Sequence, residues 1–126
     1  EALSPDVPLT RAVAQWADCA ALVVGLYEED WDLISRVLVD RIAEPARSRF
    51  IPGFSEVCSA ATEAGAVGAG LSGSGPSVFG LCRSLGNAEV VADAMTRAFA
   101  SAGLEATDKH VSPVDSRGAR IVTDTT

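Results

Sequence analysis

His110 and Lys109 are the only histidine and the only lysine in 126 residues. With one histidine, set in a stretch that reads as strand, a Ser-His-Asp arrangement has little support. With no lysine near the glycines there is no G-K-[ST] sequence, which excludes a Walker A loop. Cysteines are few, odd in number and isolated among apolar neighbours: Cys19, Cys58 and Cys82. That pattern points to reduced thiols in a cytosolic protein and away from disulfides or a metal site. Long apolar runs are also lacking. The longest, Cys19 to Tyr27, falls short of the roughly 20 residues that a membrane-crossing helix needs. No signal-peptide pattern opens the chain. Its first residue is Glu1, so a fragment or a processed chain is expected. No two carboxylates stand out as an acid–base pair, because the acidic residues are scattered over helix faces. No complete catalytic set is visible, and no internal repeat or low-complexity segment.

What is present defines a single globular domain with a modest core. Hydrophobic residues make up 48% and charged residues 21%, ordinary values for a folded chain. The formal net charge of −7 argues against nucleic-acid binding as a bulk property. The charge is uneven, however. Residues 33 to 54 carry Arg36, Arg41, Arg47 and Arg49 against Asp40 and Glu44, a net +2 that leaves −9 for the remainder. Such an island either receives a small anion or consists of surface arginines paired with Asp40 and Glu44.

Read in order, residues 1 to 8 are a lead-in with Pro5 and Pro8. Leu9, Val13, Trp16, Ala20, Val23 or Val24, and Tyr27 recur at helical spacing and predict a helix from Leu9 to Tyr27. Its second half is apolar almost all round and should be buried. Asp30 is the expected N-cap of a second helix, Trp31 to Ala43, which Pro45 ends. Glu44 to Gly53 reads as a loop. A third helix is predicted from Phe54 to Ala64, with Val57, Cys58 and Ala61 inward and Gly65 beyond its end. A fourth is predicted from Asn87 to Ala102, with Val90, Val91, Ala94, Met95, Ala98 and Phe99 inward and Gly103 closing it. Leu104 to Val111 reads as a strand, Pro113 to Gly118 as a turn, and Ala119 to Val122 as a last strand. The order predicts an α+β fold, its helices on one face of a small antiparallel sheet of three or four strands.

The most distinctive stretch is GAVGAGLSGSGPSVFGLC, residues 65 to 82, which holds Gly65, Gly68, Gly70, Gly73, Gly75 and Gly80. Apolar runs flank a side-chain-poor centre from Ser72 to Ser77. This predicts a hairpin closed by a glycine loop, with at least one glycine at positive φ. Exposed N–H groups in such a loop form a concavity suited to anions. Gly68, Gly70 and Gly73 also satisfy G-x-G-x-x-G, but that fingerprint must open a helix, and Pro76 followed by Ser77 to Cys82 reads as strand. The bland alternative is a tight turn that merely needs glycine.

These residues resemble a known family. The glycine stretch is similar to the third motif of the GHMP small-molecule kinases. Asp40 to Phe54, DRIAEPARSRFIPGF, resembles the signature that precedes that motif in homoserine kinases, and Val111 to Val122 resembles their ending. The resemblance covers essentially the whole chain, and the third motif joined to EPAR and IPGF is specific for homoserine kinases. It implies a ferredoxin-like C-terminal domain whose first strand precedes Glu1. It implies phosphorylation of L-homoserine by ATP with Mg²⁺, in the cytoplasm, on the route to threonine. The amino-terminal half that holds the nucleotide, the metal and the catalytic acids is absent from these residues, so no catalytic or metal-binding residue is expected here. Arg47 is implied to bind the homoserine α-carboxylate. Gly70, Ser72, Gly73, Ser74, Gly75 and Ser77 are implied to lie beside the transferred phosphoryl group. Partners would be homoserine and ATP, with no nucleic acid and no membrane; a homodimer is compatible. The alternatives are a mevalonate-type kinase of the same superfamily and a non-enzymatic amino-acid-binding module on a ferredoxin-like sheet.

Overall fold

The computed structural model describes residues 3–121. Their elements are α1 (Leu9–Glu28), α2 (Trp31–Val37), α3 (Glu44–Arg47), a 3-10 turn (Ser48–Phe50), α4 (Phe54–Glu63), β1 (Gly68–Leu71), β2 (Val78–Leu81) and α5 (Leu85–Ser101). The centre of the fold is α4–β1–β2–α5. Val57 and Ala61 of α4 meet Val91 and Met95 of α5 in the buried core. Each pair is spaced i, i+4 and so lies on one helix face. The two strands are antiparallel, with Ala69 opposite Gly80 and Gly70 opposite Phe79. Gly80 lets α5 lie close on β2, since a Cβ there would stand 3.0 Å from Val91 Cγ1 and 3.3 Å from Met95 Sδ. Because side chains alternate along a strand, Gly68 and Gly70 face the other way, toward Leu38 and Glu44.

Local chemistry sets the helix boundaries. The Asp30 carboxylate accepts from the Leu33 N–H at 2.9 Å and starts α2 as expected. Ser84 accepts from the Asn87 N–H at 3.2 Å, so α5 begins at Leu85 and not at Asn87. Asn87 Nδ2 in turn donates to the Ala64 carbonyl at 3.3 Å, joining the start of α5 to the end of α4. Gly65, at φ 103°, follows α4 as predicted. Turn residues 116 and 117 and the Gly118 N–H bonded to the Asp115 carbonyl at 3.1 Å give the expected turn.

Several expectations are corrected. Helix α2 stops at Val37, six residues before Ala43. Asp40 is the reason: its carboxylate accepts from the N–H groups of Ile42, Ala43 and Glu44 at 2.8, 2.8 and 3.1 Å. An aspartate that caps the amides following it competes with helix continuation. EPAR is accordingly helix and not loop, with Pro45 inside the first turn of α3, where its missing N–H forfeits no bond. The second half of α1 is not buried. Gly25 alone of that helix is buried, while Trp16 is 64% and Tyr27 86% exposed. Helix α1 packs chiefly on α2, and one neighbour covers only one stripe of a helix. Val90, expected inward, is exposed on α5.

Two strands are present among the described residues, not three or four. Leu104 to Val111 is irregular. Its Leu104 N–H bonds back to the Phe99 carbonyl at 2.9 Å. Lys109 Nζ reaches Glu89 and Asp93 of α5 at 3.2 and 2.8 Å, so this segment is tied to a helix and has no ladder partner among the described residues. Ala119 to Ile121 is likewise irregular, and Val122 lies outside the described residues. The segment α4–β1–β2–α5 thus has the central αββα order of a ferredoxin-like fold. Taken whole, α1 is long and apolar enough to cross a membrane by length and composition alone, with a mean hydropathy of 1.2, although its longest apolar run is short. Its polar residues are used within the fold: Gln15 Oε1 accepts from the Arg41 N–H at 2.6 Å, and Asp18 pairs with the Arg41 guanidinium.

Candidate functional site

The site is built outward from Asp40. Its three amide contacts start α3, and the E-P-A-R spacing puts Glu44 and Arg47 on one face of that single turn. Both reach the glycine hairpin. Glu44 Oε2 accepts from the Leu71 N–H at 2.9 Å. Arg47 Nη1 donates to the Gly73 carbonyl at 3.2 Å. Two features that are separate in sequence therefore meet, across 26 residues.

The loop itself is a short closed turn between β1 and β2, as predicted. The Ser72 N–H donates to the Ser77 carbonyl at 2.8 Å, and the Gly75 N–H to the Ser72 carbonyl at 3.1 Å. Gly73 and Gly75 have φ of 61° and 77°, a region that favours glycine. The N–H groups of Gly73 and Ser74 have no protein acceptor among the described residues. Ser72, Gly73, Ser74 and Ser77 are exposed. No helix follows Gly70, so the dinucleotide fingerprint is a chance match. Gly70 differs from the rest of the loop. It lies within β1, and a Cβ there would stand 2.8 Å from Glu44 Oε2; its observed use is to admit that carboxylate.

The remaining arginines of the basic island lie apart from this contact. Arg41 pairs with Asp18, which raises its pKa first through the hydrogen bond and then through charge. The Arg49 guanidinium lies over the Phe50 ring, 4.9 Å from its centroid. Arg36 is exposed on α2. Glu44 is not the ion-pair partner of Arg47, and no carboxylate within 4.0 Å of Arg47 is found among the described residues. A cleft of about 530 Å³ opens beside α3, lined in part by Arg11, Asp40, Arg41 and Glu44. Arg47 and the loop lie outside its lining. Glu44 and Asp40 are the residues that the sequence alone did not single out. Their signal was the i, i+3 spacing of Glu44 and Arg47, which has meaning only once EPAR is helical.

Behind α3, burial and then the charge of Glu44 push the Cys58 thiol up to about 11. Cys19 is exposed. Iodoacetamide at pH 8 is expected to label Cys19 well before Cys58, because the thiolate is the reactive form. Peptide mapping over time checks the order, and equal labelling rates would contradict it. An unfolded thiol ionises from its ordinary value of 9.0, the folded one only near 11, so this group's contribution to stability falls as pH rises through that window.

The fold and these motifs define a class. The chain belongs to the family described as GHMP kinases C terminal, which matches residues 22–101. It is similar to the homoserine kinase of Chlorobaculum tepidum, 50% identical over 125 residues, or 98% of this chain and 38% of that protein. It is similar to that of Moorella thermoacetica, 40% identical over 120 residues, or 95% of this chain and 40% of that protein. The crystal structure of a homoserine kinase from Cytophaga hutchinsonii matches with a TM-score of 0.85 and 44% identity, covering 90% of this chain and 36% of that one. The chain spans about two fifths of the length of these curated relatives.

Proposed function

We propose that this chain is the carboxyl-terminal part of a homoserine kinase. The enzyme moves the terminal phosphoryl group of ATP to the side-chain hydroxyl of L-homoserine, in the cytoplasm, as a step toward threonine. The observation that carries this reading is the 3.2 Å contact from Arg47 to Gly73, which sets a carboxylate-binding group against an anion-type loop. A guanidinium fork matches a carboxylate bidentately. With Nη1 turned to Gly73, the other donors of Arg47 remain for the homoserine α-carboxylate. The free N–H groups of Gly73 and Ser74 suit phosphate oxygens, and transfer of a phosphoryl group depends mostly on such positioning and charge neutralisation. Ser72, Gly75 and Ser77 shape that loop. Mg²⁺ is a different matter: the described residues contain no group of three acidic, histidine or cysteine side chains that could hold a metal ion. The metal and the catalytic acid are assigned to the part of the enzyme outside this chain.

Two preparations test the reading. The 126-residue chain is expected to form no ADP from ATP and homoserine above a no-protein control. The longer protein, made with its adjacent upstream coding sequence, is expected to phosphorylate homoserine. Turnover by the short chain would refute the division of the site. A longer protein that phosphorylates mevalonate and leaves homoserine untouched would select the alternative kinase.

A further inference from the structure

We propose that Glu44 is a positioning residue: by locking α3 onto the end of β1, it fixes where Arg47 meets the glycine loop. The inference rests on the homoserine kinase reading of Arg47 and adds the residue that holds it. Helix α3 has four residues, too few to be stable alone. It therefore depends on outside contacts. Among the described residues β1 pairs with β2 only, and backbone groups on its other edge need partners. The Glu44 carboxylate supplies one at Leu71, the last residue of β1, at 2.9 Å. An ionised acceptor makes this bond stronger than a neutral one would. Gly70 leaves the required space, since a Cβ there would approach Glu44 Oε2 to 2.8 Å. Asp40 fixes the start of the same turn through three amides. Without the Glu44 bond, the side-chain hydrogen bond left on that face of α3 among the described residues is the longer 3.2 Å one from Arg47 to Gly73.

The test uses the longer enzyme. Glu44→Ala is expected to lower kcat/KM for homoserine by about 10- to 100-fold, the scale of one lost charge-assisted hydrogen bond. The loss should fall mainly on the homoserine KM, with the ATP KM little changed. Glu44→Gln should recover most of it, because its amide oxygen still accepts from Leu71. Gly70→Ala should reproduce the loss by displacing the carboxylate, and should add nothing to Glu44→Ala. In the Arg47→Ala background, Glu44→Ala should cost less than about threefold, since residues acting as a unit are not additive. Should Glu44→Ala fail to fold, Gly70→Ala decides alone. Activity within about twofold of the parent in that variant, or multiplicative losses for Glu44→Ala and Arg47→Ala, would overturn the inference. If Arg47→Ala is itself silent, the carboxylate reading fails and the inference falls with it. If Arg47→Ala is costly and Glu44→Ala is not, the inference alone fails.

Discussion

Arg47→Ala in the longer enzyme is expected to reduce kcat/KM for homoserine by about 30- to 1000-fold, the effect of truncating one partner of a bound charge pair. On the proposed reading, the variant loses a bidentate, charge-assisted contact to the substrate carboxylate. The KM for ATP should move little, because the nucleotide is assigned to the other half of the enzyme. Arg47→Lys should restore only part, since an ammonium group lacks the planar fork. The competing reading makes Arg47 a surface arginine. Exposed ion pairs contribute about 0–1 kcal/mol, so on that reading the alanine variant would behave like the parent. The geometry already removes the partner that this reading needs, because Glu44 is bonded to Leu71 and not to Arg47. Steady-state kinetics with homoserine varied at saturating ATP decides. Values within about twofold of the parent would reject the assignment. Arg49 would then be the next arginine to test, because Arg41 is engaged by Asp18.

What the sequence could show depended on how local each feature is. The glycine hairpin was legible because its chemistry is contained in a few residues: small side chains, positive φ at Gly73 and Gly75, and apolar flanks. The i, i+4 faces of α4 and α5 were legible for the same reason, apart from Val90. EPAR was not. Pro45 carries two opposite meanings, a stop for the preceding helix or a start for the next. Asp40 decides between them through contacts to amides further along the chain. The extent of burial on α1 is not legible in sequence, because apolar periodicity reports which face wants cover, not whether a neighbour supplies it. The strand expected at Leu104 to Val111 failed on the same principle, since strandness is realised only by pairing. Lys109 ties that segment to α5 instead.

The candidate site was legible as parts and not as an arrangement. Arg47 and the loop from Ser72 to Ser77 were picked out separately, one by charge and one by composition, and the family resemblance gave each a role. Nothing in composition or spacing joined them. They meet through the bond from Arg47 to the Gly73 carbonyl, with Glu44 bonded beside it to the Leu71 N–H; the acidic character of Glu44 reads in sequence only as a counter-charge for neighbouring arginines. Gly70 shows the same limit. It counts as one more glycine of a phosphate-type loop until the fold places a carboxylate against its α-carbon.

Gly53→Ala is expected to destabilise the fold by roughly 2–5 kcal/mol, the sum of a backbone term and an overpacking term. Gly53 is the N-cap of α4 and sits at φ 71°, ψ 14°. A side chain there meets the left-handed penalty of about 1–2 kcal/mol. The new Cβ would also stand 2.4 Å from the Ala102 Cβ, at the end of α5. That atom is fixed to the backbone and has no rotamer by which to retreat, so one helix end must move. Such overpacking costs typically about 1–3 kcal/mol. Gly103 separates the two terms. It lies at φ 89°, and a Cβ added there would meet nothing within 4 Å, so Gly103→Ala should show the backbone term alone. Ala102→Gly in the Gly53→Ala background should recover the packing term and leave the backbone term. Urea unfolding of the longer enzyme and its variants, followed by circular dichroism, measures all four proteins on one scale. The total is a large share of the ~5–15 kcal/mol that holds a domain together. A Gly53→Ala variant no less stable than Gly103→Ala would mean that the α4–α5 junction yields at no cost, and the close approach of Gly53 to Ala102 would have no energetic weight.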